Sequence, residues 1–247
     1  MTLNEFFKDN PKAAIAFSGG VDSAYLLYAA AAAKANIRAY YVKSAFQPQF
    51  ELDDAIKLAE ELGADMKIIN VDVLADSRVS ANPADRCYYC KKAIFNTIAE
   101  AAKADGFDLI LDGTNASDDE GDRPGMRALK ELSVRSPLRE CGLTKPEIRR
   151  LSKKAGLFTW DKPAYACLAT RIPTGEVITA EKLAKTESAE DFLFSLGFTD
   201  FRVRMSGNSA KIQLPEGQLD KLMAQRKEIL AKLKQYYDSV TLDLEVR

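Results

Sequence analysis

Two stretches of this 247-residue chain hold groups from which chemistry could be built. The first is Ser18-Gly19-Gly20-Val21-Asp22-Ser23, set between the apolar run Lys12–Phe17 and the alanine- and leucine-rich Val21–Asn36. Two glycines let the backbone turn tightly toward an anion, and the helix start that follows offers unbonded N–H groups and positive dipole. Two serines add hydroxyl donors, so the loop suits phosphate; an ordinary strand–helix turn is the plainer alternative. The pattern G-x-x-x-x-G-K-[ST] is absent, which disfavours γ-phosphate transfer by a Walker-type loop. The second stretch is Arg86-Cys87-Tyr88-Tyr89-Cys90-Lys91, to which Cys167 adds a third thiol. Thiolates three residues apart at a helix start can share a metal or cluster. Structural zinc normally takes four protein ligands, which would require Cys141 or a carboxylate. Three cysteines on a four-iron cluster leave one iron open to an extra sulfide. A pair of partly buried thiols is the plainer reading, and Cys141 reads as a buried thiol.

The chain has no histidine. That excludes Ser-His-Asp and Cys-His catalysis, His-ligated zinc and imidazole acid–base work. A net charge of -1 gives no reason to invoke nucleic acid or an anionic membrane. The start lacks the features of a secretory signal, and the longest apolar stretch, Tyr25–Ala33, is far too short for a bilayer. A cytoplasmic protein with reduced cysteines is expected.

The elements that must position these groups alternate. Strands are expected at Lys12–Phe17, Ile37–Val42, Met66–Val71 and Phe107–Leu111, and helices at Val21–Asn36, Glu51–Leu62 and Cys90–Ala104. This order predicts an α/β fold, a Rossmann-like parallel sheet with helices on both faces and ligands beyond the carboxyl ends of its strands. Those ends carry Ser18-Gly19-Gly20, Lys43-Ser44 and Gly113-Thr114-Asn115. A helix at Lys145–Ala155 lies in an otherwise irregular segment. Helix Ala180–Leu196, strands Phe201–Met205 and Ala210–Leu214, helix Leu219–Tyr236 and strand Ser239–Glu245 suggest a small C-terminal α+β domain. We divide the chain into domains 1–172 and 173–247, with the boundary within Arg171–Thr179.

Ser18–Ser23 resembles the signature of the PP-loop ATP pyrophosphatases, which release pyrophosphate and join AMP to a substrate oxygen. The resemblance implies that Ser18, Gly19, Gly20, Val21 and Ser23 hold the pyrophosphate while Asp22 helps to place magnesium. Ala16 or Phe17 would line the adenosine pocket with Ser44, and Gly113 and Thr114 would close the nucleotide site. Further strings narrow the family: Asp112-Gly113-Thr114-Asn115 with Asp118, Arg123-Pro124-Gly125, Ser136-Pro137-Leu138, Lys145-x-Glu147-Ile148-Arg149, and Trp160 through Cys167 to Pro173. Together they resemble the LarE family of ATP-dependent sulfur transferases, which mature the nickel-pincer nucleotide cofactor of lactate racemase.

That resemblance implies adenylation of a carboxylate of pyridinium-3,5-biscarboxylic acid mononucleotide, followed by sulfur delivery. In some members the cysteine matching Cys167 gives up its own sulfur; others hold a 4Fe-4S cluster on three cysteines. Cys87, Cys90 and Cys167 make this chain similar to the second type, with sulfide or another sulfur donor as a further reactant. The resemblance also implies substrate binding by Arg202 and Arg204, which alternate to one strand face, and a catalytic supporting role for Glu190. Tyr88 and Tyr89 could stack on a pyridinium or simply pack. Lys145 and Arg149 are either helix-surface charges or phosphate ligands. Cluster-dependent tRNA thiolation is the alternative enzyme, and a nucleotide-binding module without catalysis the alternative class. Homo-oligomerisation is left open.

Overall fold

The computed structural model describes residues 1–118 and 124–246. It divides into two compact units: 1–73 with 85–162, and 74–84 with 163–247. The second unit therefore joins the stretch from Pro163 onward to a segment, 74–84, that lies within the first domain of the sequence-based division.

In chain order the first unit runs α1 (Leu3–Asp9), β1 (Lys12–Ala16), α2 (Val21–Ala32), β2 (Asn36–Lys43), α3 (Gln49–Glu61) and β3 (Asp65–Asn70). After α4 (Ser77–Ser80), which belongs to the second unit, it resumes with α5 (Arg86–Ala104), β4 (Ile110–Leu111), α6 (Pro124–Glu131), α7 (Pro137–Glu140) and α8 (Lys145–Lys154). The four strands pair in parallel in the order β3-β2-β1-β4. Side chains alternate across a strand, and here that period divides the core. Ala13, Ile15, Ala39 and Tyr41 face a cluster with Phe6, Leu26, Leu58 and Ile148, whereas Ala14, Tyr40 and Val42 face Ile98 and Ala102 of α5. Small alanines in β1 let helices approach both faces closely. β1 lies between β2, reached through α2, and β4, reached later in the chain. The carboxyl ends of β1 and β4 thus flank the point where the strand order reverses, the usual ligand crevice of such sheets.

Several boundaries differ from the sequence-based expectation. α2 stops at Ala32, because Lys34 turns into the left-handed region (φ 57°) and Asn36 already opens β2. α5 starts at Arg86 rather than Cys90, so both cysteines of the pair lie near its start. β4 shortens to two residues. α1, α4, α6 and α7 were not expected. Arg123, part of one motif string, lies outside the described residues.

The second unit continues with α9 (Ala180–Ser195), β5 (Arg202–Ser206), β6 (Ser209–Gln213), α10 (Leu219–Leu233) and β7 (Ser239–Leu242). β6 pairs antiparallel with β5 and parallel with β7. Asn82, just after α4, is fully buried; its side chain donates to the Pro173 carbonyl, and its own carbonyl accepts from the Gly175 amide. Those bonds bind 74–84 into this unit. Among the described residues no helix is long and apolar enough to cross a membrane.

Candidate functional site

The phosphate loop turns immediately after β1. Gly19 takes φ +71°, and a Cβ there would meet Ala55 Cβ at 3.1 Å and the Glu51 carbonyl at 3.3 Å, so glycine serves both conformation and space. Gly20 caps α2 with extended backbone and, having no side chain, makes no side-chain cap bond to the first amides of the helix. Unbonded amides with the dipole behind them are suited to an anion. Ser18 and Ser23 bridge the loop: their hydroxyl oxygens are 3.0 Å apart, and the Ser18 amide donates to Ser23 Oγ at 3.2 Å.

Asp22 projects from the first turn of α2. Lys145 Nζ at the start of α8 donates to its Oδ2 at 2.5 Å, and Asn115 Nδ2 to its Oδ1 at 3.4 Å. Burial raises the Asp22 carboxyl above the ordinary aspartate range, against the pull of Lys145. From the neighbouring strand end, Gly113 presses its backbone against the Ser23 amide. Buried Asp112 braces that turn, accepting from Thr114 Oγ1 at 2.5 Å, the Thr114 amide at 3.2 Å and Ser136 Oγ at 2.6 Å. Ser18, Gly20, Asp22, Ser23, Gly113 and Thr114 are thus one assembly, and sequence reasoning left Lys145, Asp112 and Ser136 without their roles in it.

Other predicted residues have local duties. Ser44 is buried at the end of β2, where its hydroxyl donates to Gln47 Oε1 at 2.7 Å and accepts from the Phe46 amide at 3.1 Å. Arg149 donates to the carbonyls of Trp160 (2.6 Å) and Lys162 (2.8 Å), which makes it a brace for the end of this unit. Tyr88 donates to Glu131 at 2.7 Å and carries the Arg127 guanidinium 4.2 Å from its ring centre, so it packs α5 against α6.

All four cysteines are thiols. Cys87 is exposed and Cys90 half-buried, both near the start of α5 in the first unit; Cys167, half-buried, belongs to the second. Among the described residues no group of three or more Cys, Asp or Glu side chains is gathered to hold a metal ion. The donor chemistry of three thiols suits iron and sulfide, but neither unit alone assembles it. A magnesium ion held mainly by nucleotide phosphates needs only one or two protein carboxylates, and Asp22 fits that need.

In the second unit Cys167 lies at the start of a short 3₁₀ turn, Leu168–Arg171, and its carbonyl accepts from the Thr170 amide and hydroxyl, each at 2.9 Å. Arginines from two elements hold this segment by its carbonyls: Arg202 donates to Ala164, Arg171 to Ala166 (2.9 Å) and Arg204 to Thr170 (2.6 Å). Arg202 and Arg204, expected to reach toward substrate, share one face of β5 and use part of their donors on this loop. Glu190 accepts from Arg171 twice, from Tyr165 Oη at 2.5 Å and from the Val203 amide at 2.8 Å. Four donors thus converge on a buried carboxylate, which ties Tyr165, Arg171 and β5 together.

Comparison with known proteins agrees with this geometry. The family described as "Queuosine biosynthesis protein QueC" matches residues 12–87, the span that contains the phosphate loop. An uncharacterized protein of Synechocystis sp. is 38% identical over 98% of this chain and 92% of its own length. Another, from Methanocaldococcus jannaschii, is 32% identical over 99% of this chain and 93% of its own. The pyridinium-3,5-bisthiocarboxylic acid mononucleotide synthase of Lactiplantibacillus plantarum is 34% identical over 98% of this chain and 89% of its own length. Identity of that order along the whole chain, with the phosphate loop and the cysteine-bearing segment both within it, settles the family: this chain belongs to the LarE-type pyridinium-3,5-bisthiocarboxylic acid mononucleotide synthases.

Proposed function

We propose that the chain uses ATP to adenylate a carboxylate of pyridinium-3,5-biscarboxylic acid mononucleotide and then replaces the AMP with sulfur, in the cytoplasm. The observation that carries this reading is the 34% identity to the synthase across 98% of the chain. The start of α2, which Gly20 caps without a side-chain hydrogen bond, supports it from the structure.

In this mechanism the α2 amides and the hydroxyls of Ser18 and Ser23 bind the β- and γ-phosphates, holding pyrophosphate as the leaving group. Asp22 would help to hold a magnesium ion, which would supply positive charge to the phosphate oxygens. Ala16, Phe17 and Ser44 line the adenosine side, and Gly113 and Thr114 bound the site at β4. The substrate carboxylate attacks the α-phosphorus, the bond to pyrophosphate breaks, and an acyl-adenylate forms. A carboxylate and a thiolate are nucleophiles without a general base, which suits a chain lacking histidine. Cys167 is the sulfur-transferring residue and Arg202 and Arg204 bind substrate. The finer reading assigns Cys87, Cys90 and Cys167 to a 4Fe-4S cluster whose chemistry, when present, is a labile sulfide; three thiols and the absence of histidine support it.

ATP–pyrophosphate exchange tests the first step. Exchange that depends on the pyridinium mononucleotide is expected. Exchange that responds instead to tRNA, or to neither, overturns the reading.

A further inference from the structure

We propose that Arg171 is a positioning residue for Cys167, its buried guanidinium fastening the thiol-bearing loop to α9. The proposal rests on the reading of Cys167 as the sulfur-transferring residue and adds a residue to which that reading gives no part.

Arg171 and Glu190 side chains are 0% and 1% exposed. Nε and Nη2 of Arg171 donate to the two carboxylate oxygens at 2.8 and 3.0 Å, and Nη1 donates to the Ala166 carbonyl at 2.9 Å and Thr170 Oγ1 at 2.8 Å. Ala166 precedes the cysteine. Thr170 in turn grips the Cys167 carbonyl with both its amide and its hydroxyl. One guanidinium thus holds the peptide before the thiol directly and the peptide after it through Thr170. Glu190 holds the guanidinium in plane, itself fixed by Tyr165 and the β5 amide of Val203. Only a planar fork of donors makes these contacts at once; a lysine ammonium cannot. A buried ion pair is a poor device for stability, since apolar side chains of like volume do as well or better. Its value here lies in geometry. It fixes a loop between two elements to which an ordinary apolar contact would give no orientation.

The test uses the full chain with Arg171→Lys and the milder Thr170→Val, which removes only the shared hydroxyl. Alkylation of Cys167 by iodoacetamide, followed by mass on its peptide, needs no turnover and so reports on the loop whether or not the proposed reaction is correct. We expect its rate to rise about tenfold in Arg171→Lys as the loop opens locally. With ATP and the mononucleotide, exchange should stay within about twofold of wild type while the single-turnover yield of thiocarboxylate falls about 100-fold, the scale of a 1 Å misplacement. Thr170→Val should move both readouts in the same direction, by less. Wild-type alkylation and wild-type sulfur transfer in both variants would overturn the proposal. Absence of exchange in the unmodified chain would strike the proposed function instead, leaving alkylation to decide the role of Arg171.

Discussion

Gly113 and Ser23 lie 90 residues apart in sequence, yet a Cβ on Gly113 would stand 2.9 Å from the Ser23 amide nitrogen and 3.2 Å from its Cα. The end of β4 and the first turn of α2 are therefore in backbone contact, on the strand that bounds the phosphate loop. Both groups are backbone, so neither can rotate away.

Gly113→Ala is expected to push these two elements apart. Overpacking of this kind costs about 1–3 kcal/mol, seen as a lowered midpoint in urea. On the proposed reading, in which the α2 amides hold pyrophosphate, the larger effect should be on ATP, and exchange should fall about 100-fold. Unchanged exchange in a folded Gly113→Ala chain would show that this contact does not shape the loop.

Asp22 makes an opposite prediction about stability. Its carboxyl is raised by burial, so the folded state holds the proton more tightly than the unfolded chain does. Its stabilising contribution is then present below the ordinary aspartate pKa of about 4 and is lost as pH rises through the raised value. Asp22→Asn should match wild type in thermal unfolding at acid pH and equal or exceed it at pH 7, while losing exchange activity. A bound cation favours the ionised form, so ATP and magnesium should lower the pH at which Asp22 titrates in wild type, a change absent from Asp22→Asn. Clear destabilisation of Asp22→Asn at pH 7 would mean that Lys145 outweighs burial.

The loop that carries these predictions is legible in the sequence because its parts are contiguous: strand, two glycines, serines, helix start. Alternation of apolar runs likewise yields the parallel sheet. Lys145 is another matter. It meets Asp22 across 123 residues, and nothing in a helix-start lysine says which carboxylate it will reach. The common face of Arg202 and Arg204 follows from the period of a strand, but their acceptors, Ala164 and Thr170, lie in a segment without periodicity. α1 is a different kind of omission. Thr2 and Glu5 form a reciprocal cap there, and the Thr-x-x-Glu spacing was a readable signal.

Asp105, the residue after α5, tests how the sheet is tied to that helix. It accepts from Lys67 and from the Tyr40 hydroxyl, each at 2.9 Å, and pairs with Arg38 at 3.0 Å. Lys67 foremost, then Tyr40, hold its carboxyl down to about 2, and burial with the Asp105 carboxylate pushes the Tyr40 hydroxyl up to about 12. A depressed acid stabilises the fold above its unfolded pKa, and that contribution is lost as pH falls toward 2. Asp105→Asn should therefore unfold at lower temperature than wild type at pH 7, with the gap closing in strong acid. A constant gap from pH 7 to pH 2 would assign the effect to packing.

The cysteines decide where the sulfur comes from. If Cys87, Cys90 and Cys167 together hold a 4Fe-4S cluster, anaerobically prepared protein should contain iron and sulfide and absorb in the visible, and each single Cys→Ala variant should lose that chromophore. Cys141, whose thiol burial pushes up, should be dispensable. A retained chromophore in Cys167→Ala would remove Cys167 from the ligand set. The chemistry then available to Cys167 is its own sulfur: the thiolate displaces AMP to form a C–S bond to the acyl carbon, loss of the Cα proton breaks the Cβ–S bond, and dehydroalanine remains at position 167. That outcome is read directly, as a chain lighter by the mass of one hydrogen sulfide after a single turnover.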